Sequence, residues 1–253
     1  DILRQLQCSV LVVEDAPTML EGIVASLVAC VNSEQLVLVG DPVHSKPSLE
    51  VTAHGPRNYI DASAFERLAT NDLFGHVLTT QHRMAMPVQR LTLPLYGNPP
   101  LEDRTDAALQ TGRGERRVVA GMVFEIYFWT HEHPEMECPV DGQTSYMNMQ
   151  EVDMAFYLAE FLVSGGLQPS QITILTPFKA QCLELVARCS DLSGLTITTA
   201  AQAQSAEADV VILSLVTTRR STEFLRSPSC VAAALSRARH GLYLLGNPAP
   251  LQG

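Results

Sequence analysis

The sequence predicts an α/β protein, with largely parallel sheets covered by helices on both faces. Three observations carry this expectation. β-Branched runs such as SVLVV (9–13) alternate with helical stretches along most of the chain. Acids or a glycine stand where the first strands stop, and a long polar stretch divides the pattern into two parts.

The first strand, SVLVV, is a continuous apolar run of the kind a fully buried parallel strand shows. It ends in Glu14 and Asp15, within VLVVED (10–15). After Ala16-Pro17, Thr18 and Glu21 have the T-x-x-E spacing of a capping box, which predicts a helix over LEGIVASLVACV (20–31). QLVLV (35–39) is the next strand and stops at Gly40-Asp41-Pro42. Two neighbouring strands therefore deliver acids at their C-terminal ends, where open α/β sheets bind ligands.

ASAFERLA (62–69) predicts a short helix, and VLTTQHRM (77–84) a strand running into a turn. Residues 99–121 are polar, contain Arg and Gly, and read as a long surface connection. The pattern resumes with strand MVFEIYFW (122–129) and a helix over about 149–163, stopped by Ser164-Gly165-Gly166. Strand QITIL (171–175), helix KAQCLELVARC, strand LTITT (195–199) and strand DVVILSLV (209–216) come next. A small-residue helix, CVAAALSRA, leads to a last strand, LYLLG (242–246). Met84 and Met86 read as packing residues, and Trp129, the only Trp, as core.

With 253 residues, 46% of them hydrophobic, the chain can bury one large core or two smaller ones. No apolar run is long enough to cross a bilayer, and the N-terminus lacks the order of a signal peptide. The six Cys are scattered without a C-x-x-C pair, which points to reduced thiols and an intracellular protein of the cytoplasm, the nucleus or both. HEHPEMEC holds His131, His133 and Cys138, but its spacing fits no common zinc pattern. The net charge of −10 argues against a protein that simply coats nucleic acid. The arginine clusters 113/116/117 and 219/220/226 leave a local basic groove open beside plain surface charge.

Four more stretches stand out beside VLVVED: LVGDPVHSKP (38–47), TTQHRM (79–84), QSAEADVVILS (204–214) and ALSRARHG (234–241). In this order and spacing the five resemble the later motifs of superfamily 1 helicases of the up-frameshift type. They are most similar to the RNA-silencing helicases that carry NFX-type zinc fingers. The likeness extends to FERL (65–68), ITILTPFKAQ (172–181) and the HEHPE stretch.

The resemblance implies RecA-like P-loop NTPase folds, with the C-terminal part of a first domain over 1–78 and a second domain over 79–253. It implies ATP and Mg²⁺ held between the domains and single-stranded RNA, read with little sequence preference, lying across both. Silencing-complex proteins are implied partners, and no membrane is. The phosphate-cradling loop G-x-x-x-x-G-K-[ST] occurs nowhere in the chain. A segment of a longer protein is therefore expected, inactive toward ATP on its own.

By the same resemblance, Glu14 would hold the Mg²⁺ shell and Asp15 would orient the attacking water. Their order is exchanged relative to the usual Asp-Glu, which shifts each arm by one methylene, and misplacement near 1 Å can cost about a hundredfold in rate. Asp41 matches a family acid, and His44 stands where a Gln usually senses the γ-phosphate. Arg83 matches an arginine that reaches the phosphates and Arg237 the arginine finger, with Arg239 two residues on. The planar guanidinium fork suits both roles. Gln204 and Glu207 match a Q-G-x-E pattern, with Glu207 near the nucleotide sugar, although Ser205 replaces the glycine and Ala201 and Ala203 replace an acid and an aromatic. Thr176, Pro177 and Thr199 match stretches that face the nucleic-acid strand, through contacts to phosphate and sugar. The departures favour an alternative, a pseudo-helicase that serves as an RNA- or protein-binding scaffold. The retained Arg83 and Arg237 favour the working enzyme.

Overall fold

A computed structural model describes residues 8–31, 33–41, 47, 62–73, 75–96, 102–103, 119, 121–203, 207–219 and 221–251. The chain forms two compact units, Asp1–Leu78 and Thr79–Gly253.

In the first unit, β1 (Val10–Val13) pairs in parallel with β2 (Gln35–Leu38), in the register Val10↔Gln35 to Val13↔Leu38. The crossover carries α1 (Glu21–Val31). Helix α2 (Ala64–Thr70) comes later, and its N-cap Ser63 accepts the Glu66 N–H at 2.9 Å. The expected capping box is absent. An isolated bridge between Leu20 and Ser63 delays the helix to Glu21, so Thr18 lies too far upstream to cap it. Thr18 Oγ1 instead donates to the Asp15 carbonyl at 2.7 Å, closing a 3-10 turn over Ala16–Thr18. Glu21 instead receives the guanidinium of Arg67, whose Nη2 donates to Oε1 at 2.6 Å. β1 is also less buried than a run of valines suggests: Val12 is 59% exposed, because β2 is its one strand partner among the described residues.

The second unit opens with β3 (Thr80–Gln81), paired in parallel with β4 (Glu102–Asp103), a short strand inside the polar 99–121 stretch. The longer strand expected over 77–84 does not form. The Gln81 carboxamide oxygen accepts the N–H groups of Arg83 (3.0 Å) and Met84 (2.8 Å), folding QHRM into a turn. Helix α3 (Met86–Thr92) is next, with a proline in its first turn. Met84 is buried as expected, but Met86 is exposed and its Sδ lies 3.5 Å from Arg90.

The centre of this unit is a five-stranded parallel sheet ordered β5-β11-β10-β8-β9. Its strands are β5 (Ile126–Thr130), β8 (Ile172–Thr176), β9 (Thr196–Thr199), β10 (Ala208–Ser214) and β11 (Ala238–Gly246). Between β5 and β8 lie a small antiparallel pair, β6 (Met136–Glu137) with β7 (Tyr146–Met147), and helix α4 (Met149–Ser164). Helix α5 (Lys179–Arg188) joins β8 to β9, while α6 (Glu223–Arg226) and α7 (Pro228–Leu235) precede β11.

Side chains alternate across a strand, so a sheet covered on both faces needs apolar residues at every position. Ile172, Ile174, Val210, Ile212, Tyr243 and Leu245 pack on one face with Val152, Ala155, Ala159 and Leu162 of α4 and Leu185 of α5. Val211, Leu213 and Leu242 pack on the other with Ala234 and Leu235 of α7 and Val88 of α3. Trp129 is partly buried against the first cluster.

The last strand begins earlier than expected. Ala238 is in register with Ala208, and the Ala208 N–H donates to the Arg237 carbonyl at 3.1 Å, so SRARH is a turn entering a strand rather than the end of a helix. All six cysteines are free, and burial pushes the Cys189 thiol up to about 11. No described helix is long and apolar enough to cross a membrane.

Candidate functional site

The first unit gathers its acids at the C-terminal ends of β1 and β2. Glu14 and Asp15 are both exposed. Asp15 has φ 50° and ψ 34°, the left-handed conformation that Asp tolerates better than most residues. The turn is fixed from beneath: the Ala16 N–H donates to the Val39 carbonyl at 3.0 Å, and Ala16 and Pro17 are buried. Gly40 lies against this turn, because a Cβ there would stand 2.1 Å from Pro17 Cδ. Only a residue without a side chain lets β2 run out so close to the Glu14-Asp15 corner, and Asp41 comes directly after it. A Mg²⁺ bound with a nucleotide needs one or two protein carboxylates, the rest of its shell being water and phosphate oxygen, and this exposed pair has the donor chemistry for it. His44 lies outside the described residues.

In the second unit the arginines meet at the N-terminal edge of the sheet. Glu207, one residue before β10, is shared by two guanidinium groups. Arg83 Nε donates to its Oε2 at 2.8 Å, and Arg239 Nη2 donates to its Oε1. Arg239 Nη1 reaches Asp209 Oδ1 at 3.4 Å, and Arg83 Nη1 donates to the Ser236 carbonyl at 3.1 Å. Arg237, in the turn before β11, donates from Nε to the Ala233 carbonyl at 2.8 Å. The structure thus brings Arg83, Arg239 and Glu207 into direct contact, with Arg237 on the same edge. Gln204 lies outside the described residues. Ala203 is buried in the second core cluster.

Thr176 and Thr199 meet at the opposite, C-terminal edge, where they are register partners of β8 and β9. The Thr176 side chain is fully buried, and its hydroxyl accepts the Phe178 N–H at 3.4 Å. Any contact with a nucleic-acid strand here falls to the backbone of 176–178 and to half-buried Pro177 rather than to that hydroxyl. Thr199 Oγ1 is partly exposed and donates to Gln202 Oε1 at 3.1 Å.

The same edge holds a cluster that motif reading missed. Glu151, in the first turn of α4, is fully buried and accepts from Ser214 Oγ (2.6 Å), Val216 N (2.9 Å) and His131 Nε2 (3.0 Å). Gln181 Nε2 donates to Ser214 Oγ at 2.9 Å, and Gln181 Oε1 accepts from Asn148 N at 2.8 Å. The signal available was the S-x-x-N-x-x-E spacing of Ser145, Asn148 and Glu151, where an Asn cap is succeeded by an acid one turn on. His131 of HEHPE is therefore committed to Glu151, and no group of three or more metal-ligating side chains converges among the described residues.

These geometries carry two testable outcomes. Gly40→Ala is expected to destabilise the protein by about 1–3 kcal/mol through overpacking against Pro17; an unchanged thermal midpoint would contradict the close approach. For Glu207, the hydrogen bond from Arg239, opposed by partial burial and reinforced by Arg83, holds the carboxyl below the ordinary glutamate range. Its contribution to stability is therefore present above the unfolded value and lost as pH falls through the lowered folded one. Thermal unfolding of parent and Glu207→Gln should differ slightly, by under about 1 kcal/mol, at neutral pH, and the gap should narrow only as pH falls below the ordinary glutamate range.

Comparison with known proteins places these residues in a family. The AAA domain family matches residues 60–249. The chain is 35% identical to the Schizosaccharomyces pombe protein "Helicase required for RNAi-mediated heterochromatin assembly 1", over 98% of this chain and 24% of that protein. It is 30% identical to the mouse (Mus musculus) "NFX1-type zinc finger-containing protein 1", over 97% of this chain and 13% of that protein. It is also 30% identical to the Arabidopsis thaliana "Regulator of nonsense transcripts 1 homolog", over 85% of this chain and 18% of that protein. The chain spans about a quarter or less of the length of these relatives. With its parallel RecA-like sheet and its ordered motifs, the chain belongs to the AAA domain family, as a superfamily 1 helicase core of the up-frameshift-like type.

Proposed function

We propose that this chain supplies the later part of the core of an ATP-dependent RNA helicase of RNA silencing or surveillance, coupling ATP hydrolysis to movement along a single strand. The observation that carries the reading is the arginine cluster at one sheet edge. Two guanidinium forks, Arg83 and Arg239, share the one carboxylate of Glu207, with Arg237 beside them. Phosphoryl transfer needs neutralisation of developing charge more than covalent chemistry, and arginine provides it with two parallel donors. Mg²⁺ bound with ATP supplies further charge neutralisation. Glu14 and Asp15 offer the oxygens to hold it and to orient a water, with Asp41 on the neighbouring strand end. Glu207 and Arg239 serve the nucleotide side, with His44 and Gln204. Pro177, Thr199 and the backbone at Thr176 contact phosphate and sugar of RNA. The names of the relatives, one for RNAi-mediated heterochromatin assembly and one for nonsense transcripts, support RNA over DNA. We place the intact protein in the cytoplasm, the nucleus or both, with silencing-complex proteins as partners.

The test is ATP turnover by the intact protein, with and without single-stranded RNA, beside Asp15→Ala and Arg237→Ala. RNA is expected to stimulate turnover, and each change to lower it by about a hundredfold or more, in line with loss of a group that acts on transition-state charge. Nucleotide and RNA binding without any turnover would replace this reading with the scaffold.

A further inference from the structure

The buried cluster at the C-terminal edge of the sheet lies opposite the edge that holds the arginines. We propose that Glu151 is a positioning residue for nucleic acid: its buried carboxyl holds the 214–218 turn and the 131–135 segment in place as a preformed rim beside Thr176 and Thr199. The inference rests on the nucleic-acid reading of that edge.

The carboxyl joins two segments that come after different strands. Oε2 accepts from Ser214, the last residue of β10, and from the Val216 N–H. Oε1 accepts from His131, the first residue after β5. The His131 ring has one arrangement open to it. Its Nδ1 accepts the His133 N–H at 3.2 Å, so the ring proton sits on Nε2 and points at Glu151. Asn148 duplicates the grip one turn earlier. Its Nδ2 donates to the carbonyls of His133 (2.8 Å) and Val216 (3.3 Å), while its Oδ1 caps α4.

Val216 shows what this grip accomplishes. Its φ of 71° is in the left-handed region, which a β-branched residue occupies only when its surroundings enforce it. Glu151 holds its N–H and Asn148 its carbonyl, so both peptide groups at the strained residue are fixed. The turn is then tied back to the other segment, because Thr218 donates from N (3.1 Å) and Oγ1 (2.9 Å) to Glu135. The strain is held in a buried turn, since Ser214 to Thr218 are all buried, and Thr218 ties that turn to the more exposed 131–135 segment. A contact surface fixed in advance loses less freedom when a strand binds.

The chemistry of Glu151→Gln isolates this role. A glutamine oxygen can keep the Ser214 and Val216 bonds, but its NH₂ then faces the His131 Nε2–H, donor against donor. Moving the His131 proton to Nδ1 only sets it against the His133 N–H. The substitution therefore removes the carboxyl's hold on the 131–135 segment, which Asn148 and Thr218 still tie, while leaving the 214–218 turn held. In the intact protein, Glu151→Gln should raise the Kd for a single-stranded oligouridine about tenfold and raise the KM for RNA in RNA-stimulated ATP turnover. The kcat at saturating RNA and the thermal shift given by ADP should stay as in the parent. Ser214→Ala, which removes one of the bonds that hold the turn, should weaken RNA binding in the same direction. Leu162→Ala, eleven residues and about 16 Å further along α4, lowers stability through a cavity and should leave the RNA Kd unchanged.

Parental RNA affinity in both Glu151→Gln and Ser214→Ala would overturn the positioning role. So would an equal loss in Leu162→Ala at a matched fall in Tm. A parent protein that binds no RNA would instead remove the nucleic-acid reading itself, and this inference with it.

Discussion

Strand β10 is the constraint on which the larger unit depends. It is hydrogen-bonded to β8 on one side and to β11 on the other, both in parallel, and its residues are buried on both faces. Parallel pairing sorts the chain by sequence order alone. Residues just before a strand collect at one edge of the sheet, and residues just after it collect at the other. Glu207, Arg237 and Arg239 precede or open β10 and β11, so they stand together. Ser214, Val216, Thr176, Thr199 and His131 end strands or come just after them, and they share the opposite edge. Seven residues of strand separate the two edges by about 20 Å.

Each edge solves its electrostatic problem in a different way. At the arginine edge, half-buried cations are matched by the exposed Glu207 and the half-buried Asp209, and two guanidinium groups hold one carboxylate whose oxygens an incoming phosphate could replace. At the other edge, a fully buried carboxyl is matched by three donors fixed in the protein, an arrangement no ligand can enter without unfolding it. One set is built to exchange partners and the other to keep them.

Much of this was legible in the sequence. The strand-helix alternation and the acids after β1 and β2 could be read directly, because an apolar β-branched run marks a strand even where, as in β1 and β2, many of its residues stay exposed. The arginines were legible as a motif, but their setting was not. SRARH continues a small-residue helix pattern, and only the pairing of Ala238 with Ala208 turns it into a strand. Thr18 and Glu21 have capping-box spacing, yet a bridge between Leu20 and Ser63, 43 positions apart in sequence, moves the helix start and gives Glu21 to Arg67. The Glu151 cluster escaped for the same reason. Its side chains, from His131 to Ser214, are polar residues spread over four segments, and no periodicity marks residues that meet only through the fold.

The most direct test of this division between edges is hydrogen–deuterium exchange of the intact protein with a non-hydrolysable ATP analogue and with single-stranded RNA, each added alone. The analogue should slow exchange around 83–85, 207–209 and 237–239, while RNA should slow it around 131–135, 176–178, 199–203 and 214–218. Protection of the same edge by both ligands, or the reverse assignment, would contradict it.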